Sequence, residues 1–349
     1  MKEGRQNRLE HRDADRESKE KRLLMKKMWK GIMSLLLCVC MMTGCAGGSG
    51  DDGKADGVKM YLTVSTADTF RQLIIDTAKQ QAQKIGAEIE VKDAEGSLEN
   101  QLSHIKEAVD GGYDVILCNP VDVDTALQLQ VAAGDLPIAF FNSCPSDERL
   151  EADKYVFVGS NEEDAGKYQA EYLLDKFSGK DTINVAIFRG AKTHSATLGR
   201  TNALKATLKA SGKKINYVFD DNADWSTETA KQYFELLLKT GQQVDAVASN
   251  NDDMALGVVQ ACEEKGISFD SLPIVGVDAT EGGCQAIADG KMAFTVYQSA
   301  AGQGEYLVKA AARLAQGKTL DGMKYLSHDK KYVWVPFEKV DKSNVSKYQ

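Results

Sequence analysis

From Val58 onward short apolar runs alternate with amphipathic stretches almost to the C-terminus. The runs at Met60 to Val64, Ala87 to Val91, Val115 to Cys118, Ile138 to Phe141, Val156 to Val158, Ile183 to Phe188, Ile215 to Phe219, Val244 to Ala248, Ile274 to Val277 and Phe294 to Tyr297 read as strands. They are short and rich in branched or aromatic residues, as strands covered on both faces are. Helical spacing of apolar positions predicts helices near Thr69 to Ile85, Leu98 to Val109, Val123 to Ala133, Glu162 to Phe177, Thr197 to Ala210, Thr227 to Leu238, Met254 to Glu264, Glu281 to Ala288 and Gln303 to Gln316. Strict βα alternation implies parallel, doubly wound α/β sheets, and this many strands fits two sheets better than one.

The stretch from Val244 to Gly257 concentrates the chemistry. A buried strand runs into a helix, and between them stand Asn250, Asn251, Asp252 and Asp253. A capped turn would explain one or two of these four. Open α/β sheets also bind ligands at the carboxyl ends of their strands, where such amides and carboxylates serve.

The N-terminus has a different character. Residues 1–24 are densely charged; Lys26, Lys27 and Lys30 then precede an uncharged apolar run closed by Met42-Thr-Gly-Cys45. A basic start, an apolar segment of this length and small residues before the break make a secretory signal, too short to span a membrane comfortably. Met25 to Cys45 is complete as a signal without the charged prelude, so Met25 is the expected start. The Gly- and Asp-rich residues 46–57 read as a flexible tether. Without residues 1–45, 32 Lys+Arg face 45 Asp+Glu, a net charge of about −13 that disfavours nucleic acid as a partner. Cys118, Cys144, Cys262 and Cys284 are far apart and form no Cys-x-x-Cys, so free thiols and no zinc site are expected.

Several partial motifs fail on inspection. Gly48 to Lys54 has phosphate-loop spacing, but Ala55 replaces Ser/Thr and no strand precedes it. Asp220-x-Asn222-x-Asp224 begins like a calcium loop, yet Trp225 stands where glycine must turn and Lys231 where the bidentate acid belongs. No nucleophile–base pair or paired-carboxylate motif appears, which argues against an enzyme. No cofactor or metal is expected.

What each strand is followed by is more telling. Asp68 and Phe70 follow the first, Asn142 the fourth, and His194 and Arg200 follow Ile187-Phe188; Trp225, Asn251, Asp278 and Gln298 come later. Hydroxyl-rich ligands both donate and accept, so carboxylates, amides and guanidinium can satisfy them, while Trp and Phe cover the C–H faces of a ring. Singly, each has a bland alternative: Asp68 and Asp278 as N-caps, Asn142 as a turn, Phe70 as core, Arg200 as an ion pair and His194 as a loop residue.

Taken in order, these residues resemble type I periplasmic sugar-binding proteins, most closely the glucose/galactose-binding kind of ABC importers. The resemblance rests on Asp68-Thr-Phe70, Phe140-Phe-Asn142, His194 with Arg200, Asp224-Trp225, Asn250-Asn-Asp252-x-Met-Ala-x-Gly257, Val275-Gly-Val-Asp278 and Val333-Trp-Val-Pro-Phe337. It implies two lobes joined by three crossings near Gly159, Gln298 and His328. One lobe would hold 58–160 and 299–327, the other 161–298 and 328–349. Phe70 and Trp225 would sandwich a pyranose; Asp68, Asn142, His194, Arg200, Asn251, Asp278 and, in place of an asparagine, Gln298 would take its hydroxyls. Ala196 stands where the pattern has an aspartate near the anomeric end, Ser143 replaces a lysine, and the calcium loop is missing at Lys176 to Asp181.

Met42-Thr-Gly-Cys45 resembles the lipobox of bacterial lipoproteins, with Cys45 lipidated. The expectation is thus a monomeric, extracytoplasmic, membrane-anchored protein that binds a monosaccharide such as galactose or glucose and delivers it to an ABC permease. A chemoreceptor is a further partner that the resemblance allows. The alternatives are a sensory protein presenting sugar to a membrane receptor and a sugar-responsive regulator of the same fold; the latter would need a DNA-binding head where residues 1–45 supply a signal.

Overall fold

The computed structural model describes residues Lys54 to Gln349. The leader, Cys45 and most of the tether lie outside the described residues. In chain order the elements are β1 (Lys59–Val64), α1 (Thr69–Ile85), β2 (Glu88–Asp93), α2 (Leu98–Asp110), β3 (Val115–Cys118), α3 (Ala126–Ala133), β4 (Ile138–Phe141), β5 (Tyr155–Gly159) and α4 (Glu162–Lys176). Then come β6 (Thr182–Arg189), α5 (Ser195–Ala210), β7 (Lys214–Asn222), α6 (Thr227–Lys239), β8 (Ala246–Ser249), α7 (Asp252–Lys265), β9 (Ile274–Val275), α8 (Glu281–Ala288) and β10 (Phe294–Tyr297). α9 (Ala300–Ala315), β11 (Tyr332–Trp334) and β12 (Glu338–Asp341) complete the chain.

The strands form two six-stranded sheets, in the orders β11-β5-β4-β3-β1-β2 and β12-β10-β9-β8-β6-β7. All pairs are parallel except β10 with β12. The alternation of side chains across each strand explains why two faces need cover. In the first sheet Met60, Leu62, Val64, Leu117, Phe141 and Val158 face one core, which α1 and α9 close. Tyr61, Ile116, Cys118, Phe140 and Phe157 face another, closed by α2 and α3. The second sheet repeats the plan: Ala186, Phe188 and Val247 pack under α6, α7 and α8, while Val185, Ile187, Ala248 and Val296 pack under α4 and α5. Cys118, Cys144, Cys262 and Cys284 are free thiols. Among the described residues no helix is long and apolar enough to cross a membrane.

The chain passes between the sheets three times: after β5 at 160–161, after β10 at 298–299, and between β11 and β12 at 335–337. The third crossing corrects the expected boundary. The expectation puts residues 332–334 in the second lobe with a crossing near His328, but they add a strand to the first sheet beside β5. The reason is an aromatic stripe. Tyr332 and Trp334 stack at 4.6 Å, and both meet Phe157 edge-on, at 6.5 and 5.6 Å, while Val333 points into the core on the opposite face. Val335 N–H then donates to the Gly159 carbonyl at 2.8 Å, laying the first and third crossings side by side.

Asp220, the start of the failed calcium motif, has a structural use: it lies in β7 and pairs with Arg189 and Lys205. In both sheets the strand order reverses direction beside an inner strand, between β1 and β3 in the first and between β6 and β8 in the second. Those are the points where such sheets open a crevice at their carboxyl ends.

Candidate functional site

All nine residues singled out from the sequence line one cavity of about 350 Å³: Asp68, Phe70, Asn142, His194, Arg200, Trp225, Asn251, Asp278 and Gln298. Asp253, the last of the four Asx residues after β8, also lines it, as do Arg71, Ala196, Thr280 and Glu281, which the sequence reading does not mark as contacts.

The four Asx residues after β8 divide their labour. Asn250 is buried and accepts from the Gly190 N–H at 3.1 Å, fixing the loop on which the Trp225 indole lies. A Cβ on Gly190 would come within 2.0 Å of that ring, so only glycine permits the contact. Asn251 caps α7, its Oδ1 accepting from Met254 N–H at 3.0 Å. Its amide nitrogen makes no hydrogen bond among the described residues and is left for the cavity. Asp252 is wholly buried and accepts from Thr280 N–H at 2.8 Å and Thr295 Oγ1 at 2.6 Å. Burial pushes its carboxyl up to about 7, against those hydrogen bonds. Its role is to pin the turn that carries Asp278. Asp253 faces the cavity.

Backbone strain gathers here. Asn142 (φ 61°), Asp224 (φ 52°), Trp225 (φ 65°), Asp278 (φ 116°) and Ala279 (φ 52°) are non-glycine residues with positive φ. Such conformations cost of order 1–3 kcal/mol each and persist where surrounding bonds hold them. Asp252 holds Asp278 and Ala279. Asn119, fully buried behind β4, donates from Nδ2 to the Phe141 carbonyl and to Asn142 Oδ1, both at 3.4 Å, and so holds Asn142.

Arg200 is the centre of the deep wall. Its Nε donates to Glu162 at 2.6 Å, Nη1 to the Asn250 carbonyl at 2.5 Å and Nη2 to Gln298 Oε1 at 3.1 Å, with Asp278 at 3.7 Å. Phe337, from the third crossing, lies under the guanidinium at 5.9 Å. Burial works against Arg200's charge, but Glu162 and Asp278 hold it on. Burial raises Glu162, opposed by Arg200. Asp278 is pushed well above the usual carboxylate range, first by burial and then by neighbouring acids, with Arg200 opposing. Gln298 touches the cavity, yet its amide is occupied by Arg200 and, at 3.5 Å, by Glu162. Its role is to position.

The first lobe contributes less and lies nearer the solvent. Asp68 caps α1 through Arg71 N–H at 2.8 Å and pairs with the Arg71 guanidinium at 3.2 Å, so the capping alternative holds, and it still reaches the cavity. Arg71 also donates to Asn142 Oδ1 at 3.1 Å and to the Thr66 carbonyl at 2.7 Å. Asn142 Oδ1 meets His194 Nε2 at 3.1 Å, across the lobes. His194 Nδ1 accepts from Ala196 N–H at 3.1 Å, which leaves Nε2 as the protonated, donating nitrogen. Burial, then Arg71 and Arg200, hold this imidazole well below its usual pKa and therefore neutral. Beside it Cys144 N–H donates to Ser195 Oγ at 2.8 Å, a second bond from lobe to lobe.

Arg71 escapes a sequence reading because it has an ordinary helical explanation, a first-turn residue on an amphipathic face, whereas Asp253 is one of the four Asx residues after β8 that the sequence marks. Thr280 and Glu281 sit beyond Asp278 at a helix start, where Thr-Glu reads simply as a cap. Only the convergence of the lobes shows otherwise.

Two α/β lobes around a polar and aromatic cleft define a binding protein that encloses a small ligand. The chain matches the periplasmic binding protein domain family over residues 60–319 and belongs to it. It is 30% identical over 286 residues to a putative rhizopine-binding protein of Rhizobium meliloti, covering 81% of this chain and 89% of the relative. It is 25% identical over 296 residues to the D-galactose/methyl-galactoside binding periplasmic protein of Haemophilus influenzae, covering 80% and 88%. A solved ABC transporter solute-binding protein of Bacillus halodurans with bound myo-inositol superposes with a TM-score of 0.74 at 28% identity, covering 86% of this chain and 99% of that one. The chain is thus an extracytoplasmic solute-binding protein of the type I sugar-binding class and not an enzyme.

Proposed function

We propose that this chain is the lipid-anchored receptor of an ABC importer and closes on a single six-membered polyhydroxylated ring, a pyranose such as galactose or glucose. One observation carries the reading: a cavity of about 350 Å³ joins Phe70 from one lobe and Trp225 from the other to amides, carboxylates and two guanidiniums. That volume is at the small end of ligand pockets, which run from roughly 300 to 1,000 Å³. The ligand would favour the closed state because it touches both lobes.

A cyclitol is the second reading, and Ala196 favours it. Where the resemblance puts an aspartate near the anomeric end, this wall is apolar and buried. A cyclitol has no anomeric carbon and needs no acceptor there; a methyl galactoside would fill the same space with its methyl group. The named ligands of the relatives are compatible with either ring. Calorimetry with galactose, glucose, methyl galactoside and myo-inositol tests the reading: at least one should bind in the micromolar range or tighter. Absence of binding by all four at millimolar concentration would end it.

The anchor is a separate proposal resting on Met42-Thr-Gly-Cys45. Cys45→Ser should leave an uncleaved precursor or release the protein; unchanged processing and membrane retention would contradict the lipid. A permease is the expected partner, and a membrane sensory receptor is a further one.

A further inference from the structure

Among the described residues two side-chain hydrogen bonds run directly from lobe to lobe, and both belong to one seam formed by residues 142–144 and 194–195. Asn142 with His194 joins two groups that line the cavity. The other bond, from Cys144 N–H to Ser195 Oγ at 2.8 Å, joins two residues outside that lining. Each partner is held in place by its own lobe. After β4 the chain turns at Asn142 (φ 61°), Ser143 N–H donates back to the Phe141 carbonyl at 2.7 Å, and Pro145 disfavours helical backbone at Cys144. On the second lobe, a serine at the start of a helix is ordinarily its cap. Here His194 caps α5, its Nδ1 accepting from Ala196 N–H, and the Ser195 hydroxyl instead receives a donor from the opposite lobe.

We propose that Ser195 is a latch for the closed cleft, a positioning residue that sets how tightly every ligand is held without touching any of them. Opening the lobes returns the Cys144 N–H and the hydroxyl to water; closing them onto an alanine would leave a half-buried N–H without its acceptor. The penalty therefore falls on the closed state alone. Apparent affinity scales with the population of the state that holds the ligand, so the loss is the same factor whatever the ring. One net hydrogen bond corresponds to about two- to tenfold. The inference rests on the receptor reading and goes beyond it, because the bond lies outside the cavity.

The test is calorimetry and stopped-flow tryptophan fluorescence on wild type, Ser195→Ala and Ser195→Thr, with galactose, glucose, methyl galactoside and myo-inositol. Ser195→Ala should weaken every compound that binds by a common factor of about two to ten, through a faster off-rate with the on-rate kept. Ser195→Thr, which keeps the hydroxyl, should restore wild-type affinity, and circular dichroism matching wild type establishes that the alanine variant is folded. Unchanged affinity in Ser195→Ala would overturn the latch and leave the receptor reading standing. A loss confined to one compound of several that bind would overturn it too, by putting Ser195 in contact with that ligand. A loss that threonine does not restore would do the same, by assigning the effect to the helix start and not to the hydroxyl. Failure of all four compounds to bind wild type would remove both readings.

Discussion

The two lobes share a topology and differ in how they prepare the cleft. In the second lobe Arg200, Glu162, Asn250, Asn251, Asp252 and Gln298 are all buried and bonded to one another or to their own backbone. In the first, Asp68 is 47% exposed and Arg71 makes short-range bonds to its own turn and to Asn142. On the proposed function, the difference predicts an order of events: ligand would settle on the pre-organised second lobe, and the first lobe would close over it with a smaller set of contacts. Pre-organised groups cost little to use, because they are already desolvated and oriented.

The largest effect that would break this comparison comes from Arg200→Ala. It strands Glu162 without its partner, and breaking a buried pair costs about 3–5 kcal/mol. Urea unfolding should show that loss; a cost smaller than that of Asp68→Ala would mean the second lobe is not the pre-organised one. Next is Trp225→Ala, which removes one face of the cavity. Whichever ring binds should lose about 2 kcal/mol, or some thirtyfold, by calorimetry. Gly190→Ala should act in the same direction by pushing the indole aside, and full affinity in that variant would show the ring is not held as described.

A smaller effect concerns pH. The Asp252 carboxyl is raised from 3.8 to about 7, so the native state holds a proton that the unfolded chain releases. Its contribution to stability is therefore fully present below about pH 4 and is lost as pH rises through about 7. Asp252→Asn should flatten the melting-temperature profile between about pH 5 and 7.5; an unchanged slope would assign that dependence to other groups. Smallest is Asp68→Ala, which removes a cap and a half-exposed pair and should cost about 1 kcal/mol of stability. Thermal unfolding checks it.

How much the sequence told depends on what each feature needs. Strands such as Ile138 to Phe141 and helices such as Thr69 to Ile85 were legible because burial on both faces of a sheet, or on one face of a helix, leaves a local period. The nine cavity residues were legible together because each follows a strand's carboxyl end. Arg71 was not, since Asn142, to which it donates, is 71 positions away. Tyr332 to Trp334 went to the wrong lobe because an edge strand of three residues carries no period; its placement comes from stacking on Phe157, a contact across the sheet.

That edge strand also bears on how the protein is made. β5 has one flank unpaired until residues 332–334 follow, 173 positions after Gly159. The first lobe, begun before the second, is thus finished only after β6 to β10 of the second, and contacts so distant in sequence form slowly. A chain cut after residue 330 should be cleaved by protease in the first lobe far faster than the full chain. During synthesis the nascent polypeptide stays incomplete, with an open strand edge for chaperones to hold.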